Sequence, residues 1–169
     1  NIYLGNPNLK KANVAQEFSQ EQILEFYACR NDPIYFAEKY VKIVSLDEGL
    51  TPFQPYHFQK KLIKNFHENR FNICKMPRQT GKSTTCVAYL LYYVVFNDSV
   101  NVGILANKAA TARELLGRLQ TAYENLPKWM QQGIISWNRG SLELENGSKI
   151  LAASTSASAV RGMSFNILF

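Results

Sequence analysis

The run Met76-Pro77-Arg78-Gln79-Thr80-Gly81-Lys82-Ser83 has the residue types of a phosphate-binding loop. A glycine tolerates left-handed dihedrals and close backbone approach, and a helix N-terminus just beyond it offers N–H groups to an anion. Lys82 then reaches the β- and γ-phosphates of a nucleoside triphosphate, the Ser83 hydroxyl ligates Mg²⁺, and Thr84 donates to the α-phosphate. Gln79 and Thr80 complete the loop. Arg78 adds a planar, permanently charged fork beside the γ-phosphate position, suited to the spread charge of phosphoryl transfer. The general pattern G-x-x-x-x-G-K-[ST] asks for glycine at position 76, where this chain has methionine. Upstream, Phe53-Gln54 and Phe58-Gln59 pair aromatics with carboxamides. Adenine needs a stacking face plus a group that both donates and accepts, which glutamine supplies.

Such a loop works only between a strand and a helix. The β-type run at residues 71–76 predicts the strand, and the apolar residues through 82–96 predict the helix. A second apolar run, 100–106, predicts a strand before a helix that Asn107 can cap, carrying Ala112, Leu115, Leu116 and Leu119 at three-to-four spacing. Pro127 ends it. Three short strands are expected at 134–137, 141–145 and 149–153, with the hairpin dipeptide Asn146-Gly147 between the last two, and a further strand at 165–169. Upstream of the loop, residues 56–69 read as a helix. Residues 1–18 lack periodicity and predict an arm draped over a surface. Ser19 with Gln22 makes a capping box for a helix through Arg30, Pro33 opens another helix, and a loop follows to Leu50.

Strands alternating with helices give right-handed βαβ units. The expected fold class is α/β, a P-loop NTPase-type parallel sheet with flanking helices and an inserted β-hairpin. The expected organisation is residues 1–50 as an N-terminal arm and helical subdomain and residues 51–169 as the core. A chain that stops inside a strand leaves that strand's apolar layer unfinished, so a fragment is expected.

The charge is uneven. Nineteen Lys and Arg against thirteen Asp and Glu leave a surplus of six, and residues 51–97, with seven bases and one acid, hold all of it. Part of that cluster is Arg78 and Lys82; Lys60, Lys61 and Lys64 remain as candidate DNA contacts, with Lys60 and Lys64 on one helix face. The longest apolar run, Cys86 to Phe96, is about half of what crosses a bilayer, and no signal-like segment opens the chain, so no membrane is expected. Cys29, Cys74 and Cys86 have no metal-ligand spacing and read as reduced thiols. Trp129 and Trp137 read as packing residues.

The combination FQPYHFQ, RQTGKST, VGILANKAATARELL, GIISWNRGSLELENGSKI and SASAVRGMSF resembles the ATPase region of the terminase large subunit of large contractile-tailed bacteriophages, over essentially the whole chain. In that family the phosphate loop commonly reads R-Q-x-G-K-[ST], which accommodates Met76. The resemblance implies that Gln54 and Gln59 contact adenine and that Gly81, Lys82, Ser83 and Thr84 hold the phosphates and metal. It further implies that Arg78 acts in cis near the γ-phosphate and that Arg161 sits near the nucleotide edge or a neighbouring subunit. The implied cofactors are ATP and Mg²⁺. The implied activity is ATP hydrolysis driving viral double-stranded DNA into a procapsid, in the host cytoplasm, with a portal protein, a small terminase subunit and a homo-oligomeric ring as partners. The acidic (Walker B) strand end that hydrolysis needs is expected just after Phe169, so the fragment alone is expected to be inactive and to lack the nuclease domain. Asp47-Glu48 precedes the loop and reads as a decoy. Two alternatives stand beside this: a helicase-like DNA translocase ATPase, and a non-enzymatic DNA- or capsid-docking module.

Overall fold

The computed structural model describes residues 2–45, 47–156, 160 and 162–169. In chain order the elements are β1 (Ile2–Tyr3), β2 (Asn6–Lys10), α1 (Gln20–Asn31), α2 (Pro33–Tyr40), β3 (Lys42–Ser45), β4 (Gly49–Pro52), α3 (His57–Glu68) and α4 (Lys82–Phe96). After these come β5 (Asn101–Ala106), α5 (Ala109–Glu124), β6 (Ile134–Trp137), β7 (Ser141–Leu144), β8 (Lys149–Ser154) and β9 (Ile167–Leu168).

Helix α4 is the predicted 82–96 helix, and it is buried on nearly every side from Thr85 to Phe96. A helix apolar all round must be enclosed; here α2, α3 and α5 pack on it. Its C-terminal carbonyls, orphaned by the end of the helix, are taken by side chains from elsewhere. Asn146 donates to the Val94 and Asn97 carbonyls at 2.9 and 3.1 Å, and Gln132 donates to Val95 at 3.1 Å. Asn146 lies in the four-residue β7–β8 loop, residues 145–148, with only Gly147 at positive φ (80°), rather than in a two-residue turn.

The main sheet has the order β6-β7-β8-β5-β9. Strand β5 runs parallel to β8 and β9, whereas β6, β7 and β8 alternate antiparallel. The sheet is therefore mixed: β8, β5 and β9 form its parallel part, and the antiparallel hairpin expected from sequence joins the same sheet rather than lying outside it. The tight loops joining β6, β7 and β8 can connect only antiparallel neighbours, while the route from β5 to β8 includes α5 and permits the parallel pair. Val102, Ile104, Leu142, Leu144 and Ile150 alternate into the core. On the other face a Cβ at Gly103 would come 2.8 Å from Leu168 and 3.1 Å from the Phe165 ring, so glycine lets the β9 segment seat against β5.

The expected strand at 71–76 does not form. Phe71 and Ile73 are 82 % and 100 % exposed, and the segment is extended coil. A strand exists only where a neighbour takes its N–H and C=O groups, and β9, the outermost strand, is two residues long and bonded to β5. A cavity of about 350 Å³ lies there, lined by Phe71, Asn72 and Tyr89 and by residues of the β9 segment.

Three smaller expectations also change. The expected loop before Leu50 contains a hairpin, β3 paired with β4 from Lys42↔Pro52 to Ser45↔Gly49, with Gly49 at φ 69°. The arm begins as a hairpin too, β1 with β2, turned by Leu4 and Gly5 at φ 43° and 79°. Asn107 does not cap α5; the capping position is Lys108, with no side-chain bond. Other local signals hold. The Ser19–Gln22 capping box opens α1, and Asp32 accepts the Ile34 and Tyr35 N–H groups at 2.8 and 3.0 Å at the start of α2.

The arm is fastened to the body by three side chains, of which Glu124 accepts from the Asn6 carboxamide at 3.0 Å. Gln131, buried, accepts the Lys10 N–H at 3.1 Å and donates to the Asn8 carbonyl at 2.9 Å. Glu145 accepts the N–H groups of Asn13 and Gly133 at 3.0 and 2.7 Å and pairs with Lys10. All three cysteines are free thiols, Cys29 and Cys86 buried and Cys74 exposed. Trp129 packs on Tyr40 and Trp137 on Tyr123. Among the described residues, no helix is long and apolar enough to cross a membrane.

Candidate functional site

The turn into α4 is built from two left-handed residues, Gln79 at φ 60° and Gly81 at φ 74°, the latter at the helix N-cap. Its backbone is held from within. Thr80 donates to the Pro77 carbonyl at 3.0 Å, and the Lys82 ammonium folds back onto the carbonyls of Met76, at 3.1 Å, and Pro77. Thr85 donates to the Gly81 carbonyl through both its N–H (3.0 Å) and its hydroxyl (2.9 Å). No side chain caps the N-terminus of α4. That end has the partial positive charge of the helix dipole and N–H groups without intrahelical partners.

Beside this turn opens a cavity of about 490 Å³. Gln79, Thr80, Gly81 and Thr84 form one wall; Gln54, Gln59, Tyr56 and Phe58 form a second; Ser45, Glu48 and Thr51 of the β3–β4 hairpin contribute a third. Of the residues singled out from sequence, Gln54, Gln59, Gln79, Thr80, Gly81 and Thr84 thus share one cavity, while Arg78, Lys82 and Ser83 are outside its lining. Arg78 is exposed on the turn, and Ser83 and Thr84 are half-buried in the first turn of α4.

The two glutamines differ. Gln54 is exposed, whereas Gln59 is buried, its oxygen accepting the Tyr56 N–H at 2.9 Å and its Nε2 lying 3.4 Å from the Gly81 carbonyl. Phe53 is core; the exposed aromatic faces are those of Tyr56 and Phe58, stacked with centroids 5.7 Å apart. The contribution of the β3–β4 hairpin was missed from sequence. The β-branched pair Ile43-Val44 followed by Gly49 is the signal that could have found it.

The lysines of α3 are partly occupied: Lys60 pairs with Glu38 and Lys64 with Glu68. Exposed pairs contribute about 0–1 kcal/mol each, yet they lower the free positive charge on that face. No cluster of three or more His, Cys, Asp or Glu suited to a metal occurs among the described residues, and Asp47-Glu48 lies at the β3–β4 turn. Leu46 and Arg161 lie outside the described residues, so the implied role of Arg161 has no geometry here.

Two comparisons bear on this arrangement. The chain's fold is similar to that in the crystal structure of the HK97 bacteriophage large terminase, with a TM-score of 0.66 at 19 % sequence identity over 82 % of this chain. The chain spans about 30 % of that protein's length. The match shows a shared α/β architecture. The family model described as "Terminase large subunit, T4likevirus-type, N-terminal" matches residues 73–169, more than half of the chain and inclusive of the whole turn, α4 and the mixed sheet. The chain belongs to the T4-like terminase large subunit family, in its N-terminal region.

Proposed function

We propose that this chain is the ATP-binding portion of a DNA-packaging motor. In this proposal, residues 51–169 form a P-loop ATPase core and residues 1–50 an arm and helical subdomain. The observation that carries it is the N-terminus of α4, uncapped and introduced by left-handed Gly81, beside a cavity of about 490 Å³. Enclosed sites for small ligands span roughly 300–1,000 Å³, and a helix N-terminus led in by a glycine turn is a ready anion site. The fit to ATP is thus one of charge and size at the phosphate end. It is also one of surface at the base end, where Gln54 and the exposed Tyr56–Phe58 stack border the same space.

Gln79, Thr80 and Gly81 would wrap the phosphates, Ser83 would ligate Mg²⁺ shared with them, and Thr84 would donate to the α-phosphate. Mg²⁺ in such sites keeps several waters and substrate phosphates as ligands, with few protein groups rather than a dedicated protein cage. Lys82 holds the Met76 and Pro77 carbonyls, so binding entails their exchange for phosphate oxygens, a stronger charge-assisted contact. Arg78, exposed on the same turn, would steady the γ-phosphate. In the P-loop fold, residues 71–76 would pair beside β9; the exposed apolar side chains of Phe71 and Ile73 and the adjoining cavity favour that placement. The proposed partners are double-stranded viral DNA, a portal protein, a small terminase subunit and further copies of the subunit in a ring, in the host cytoplasm.

The test is ATP titration and turnover with the full-length large subunit. The expected result is saturable, Mg²⁺-dependent ATP binding that Lys82→Ala weakens at least about tenfold, with loss of hydrolysis. Hydrolysis that survives Lys82→Ala would overturn the proposal.

A further inference from the structure

Gln59 joins the start of α3 to the turn before α4. It is 4 % exposed, and each end of its carboxamide is engaged, the oxygen by the Tyr56 N–H and Nε2 by the Gly81 carbonyl. The approach to Gly81 is close enough that a Cβ there would come 2.4 Å from Nε2. Thr85 brings two more donors to the same carbonyl. A peptide unit is planar and trans, so a fixed Gly81 carbonyl fixes the Lys82 N–H, which points the opposite way. That N–H is the first of the unpartnered donors at the α4 N-terminus.

Resting on the nucleotide-binding reading above, we infer that Gln59 is a positioning residue. It orients the Gly81–Lys82 peptide toward the phosphates, and exposed Gln54 is left to meet the base. A buried carboxamide committed at both ends has little to offer a purine edge; its contribution is to the shape of the loop. The ligand moiety it governs is therefore the triphosphate.

Inorganic tripolyphosphate, which has no base, separates the two roles when titrated against ATP on the full-length large subunit. Gln59→Met removes both hydrogen bonds at similar volume. Gln59→Glu keeps an acceptor for the Tyr56 N–H, and with it the α3 cap, but replaces the donor to Gly81 with an oxygen. The expected result is that both variants lose affinity for tripolyphosphate and ATP by the same factor, about 3- to 10-fold. Gln54→Ala should weaken ATP alone. Loss of ATP affinity with tripolyphosphate binding unchanged in Gln59→Met would overturn the inference in favour of a base contact. Full affinity for both ligands in Gln59→Glu would reduce Gln59 to an α3 cap and also overturn it. A wild-type subunit that binds neither ligand would overturn the nucleotide-binding reading itself.

Discussion

Asn146 donates its side-chain N–H to the Val94 carbonyl at 2.9 Å, so the tip of the β7–β8 hairpin closes the C-terminal end of the helix whose N-terminal end is the Gln79–Gly81 turn. Asn97, on the same helix end, is also reached by Asn146 and by the Ser148 hydroxyl at 2.7 Å. Replacing Asn146 with alanine leaves half-buried carbonyls without these donors, and a lost donor of this kind costs about 1–3 kcal/mol. Urea unfolding of Asn146→Ala should show a lower midpoint with an unchanged slope.

Gln131 bridges the arm and the body. Gln131→Leu is isosteric enough to keep the core filled but withdraws the partners of the Asn8 carbonyl and the Lys10 N–H. Hydrogen exchange should accelerate in residues 6–13 and remain slow in β5 and β8, since local opening need not cross the central ladder. Equal acceleration throughout would show that the arm and the sheet open as one unit.

The thiols should separate by reactivity. Burial pushes Cys29 and Cys86 up to about 12, whereas Cys74 is exposed on the segment before the loop. The thiolate is the nucleophile, so alkylation at pH 8 followed by peptide mapping should find Cys74 modified first, with Cys29 and Cys86 modified only in denaturant.

Glu25 accepts the hydroxyls of Tyr35 and Tyr40, each at 3.0 Å, and an ion pair from Lys39 at 2.8 Å. The hydrogen bond from Lys39, opposed by desolvation and reinforced by the two tyrosines, holds its carboxyl below the usual glutamate range. A carboxyl lowered in the folded state adds stability above its unfolded value, and that increment fades as pH falls through the folded value. The stability difference between wild type and Glu25→Gln should therefore be full at pH 7, begin to shrink near pH 4 and close in stronger acid. Urea midpoints collected across that range provide the check.

What could be read from the residues was whatever depends on local pattern. Helix α4 was legible because fifteen residues without a proline follow a glycine turn, and α1 because Ser19 and Gln22 satisfy each other's backbone. The turn into α4 was legible for the same reason: the glycine that forms it at φ 74° is contiguous with the helix that it opens. Residues 71–76 have strand-forming side chains, but strand formation depends on a distant neighbour that composition does not reveal. The β1–β2 turn places Leu4 at φ 43°, a conformation that leucine gives no reason to expect. The commitment of Gln59 to Gly81 crosses 22 residues; from sequence it was indistinguishable from Gln54, because the difference between them is burial.

The attachment of the arm has a consequence for biosynthesis. Lys10 bonds to Gln131 and Asn13 to Glu145, separations of 121 and 132 residues. At translation rates of about 5–20 residues per second, these arm residues are synthesised roughly 6–26 seconds before their anchors. The arm is thus made well before the side chains on which it docks, and until then Leu9, destined for the core, is open to chaperones.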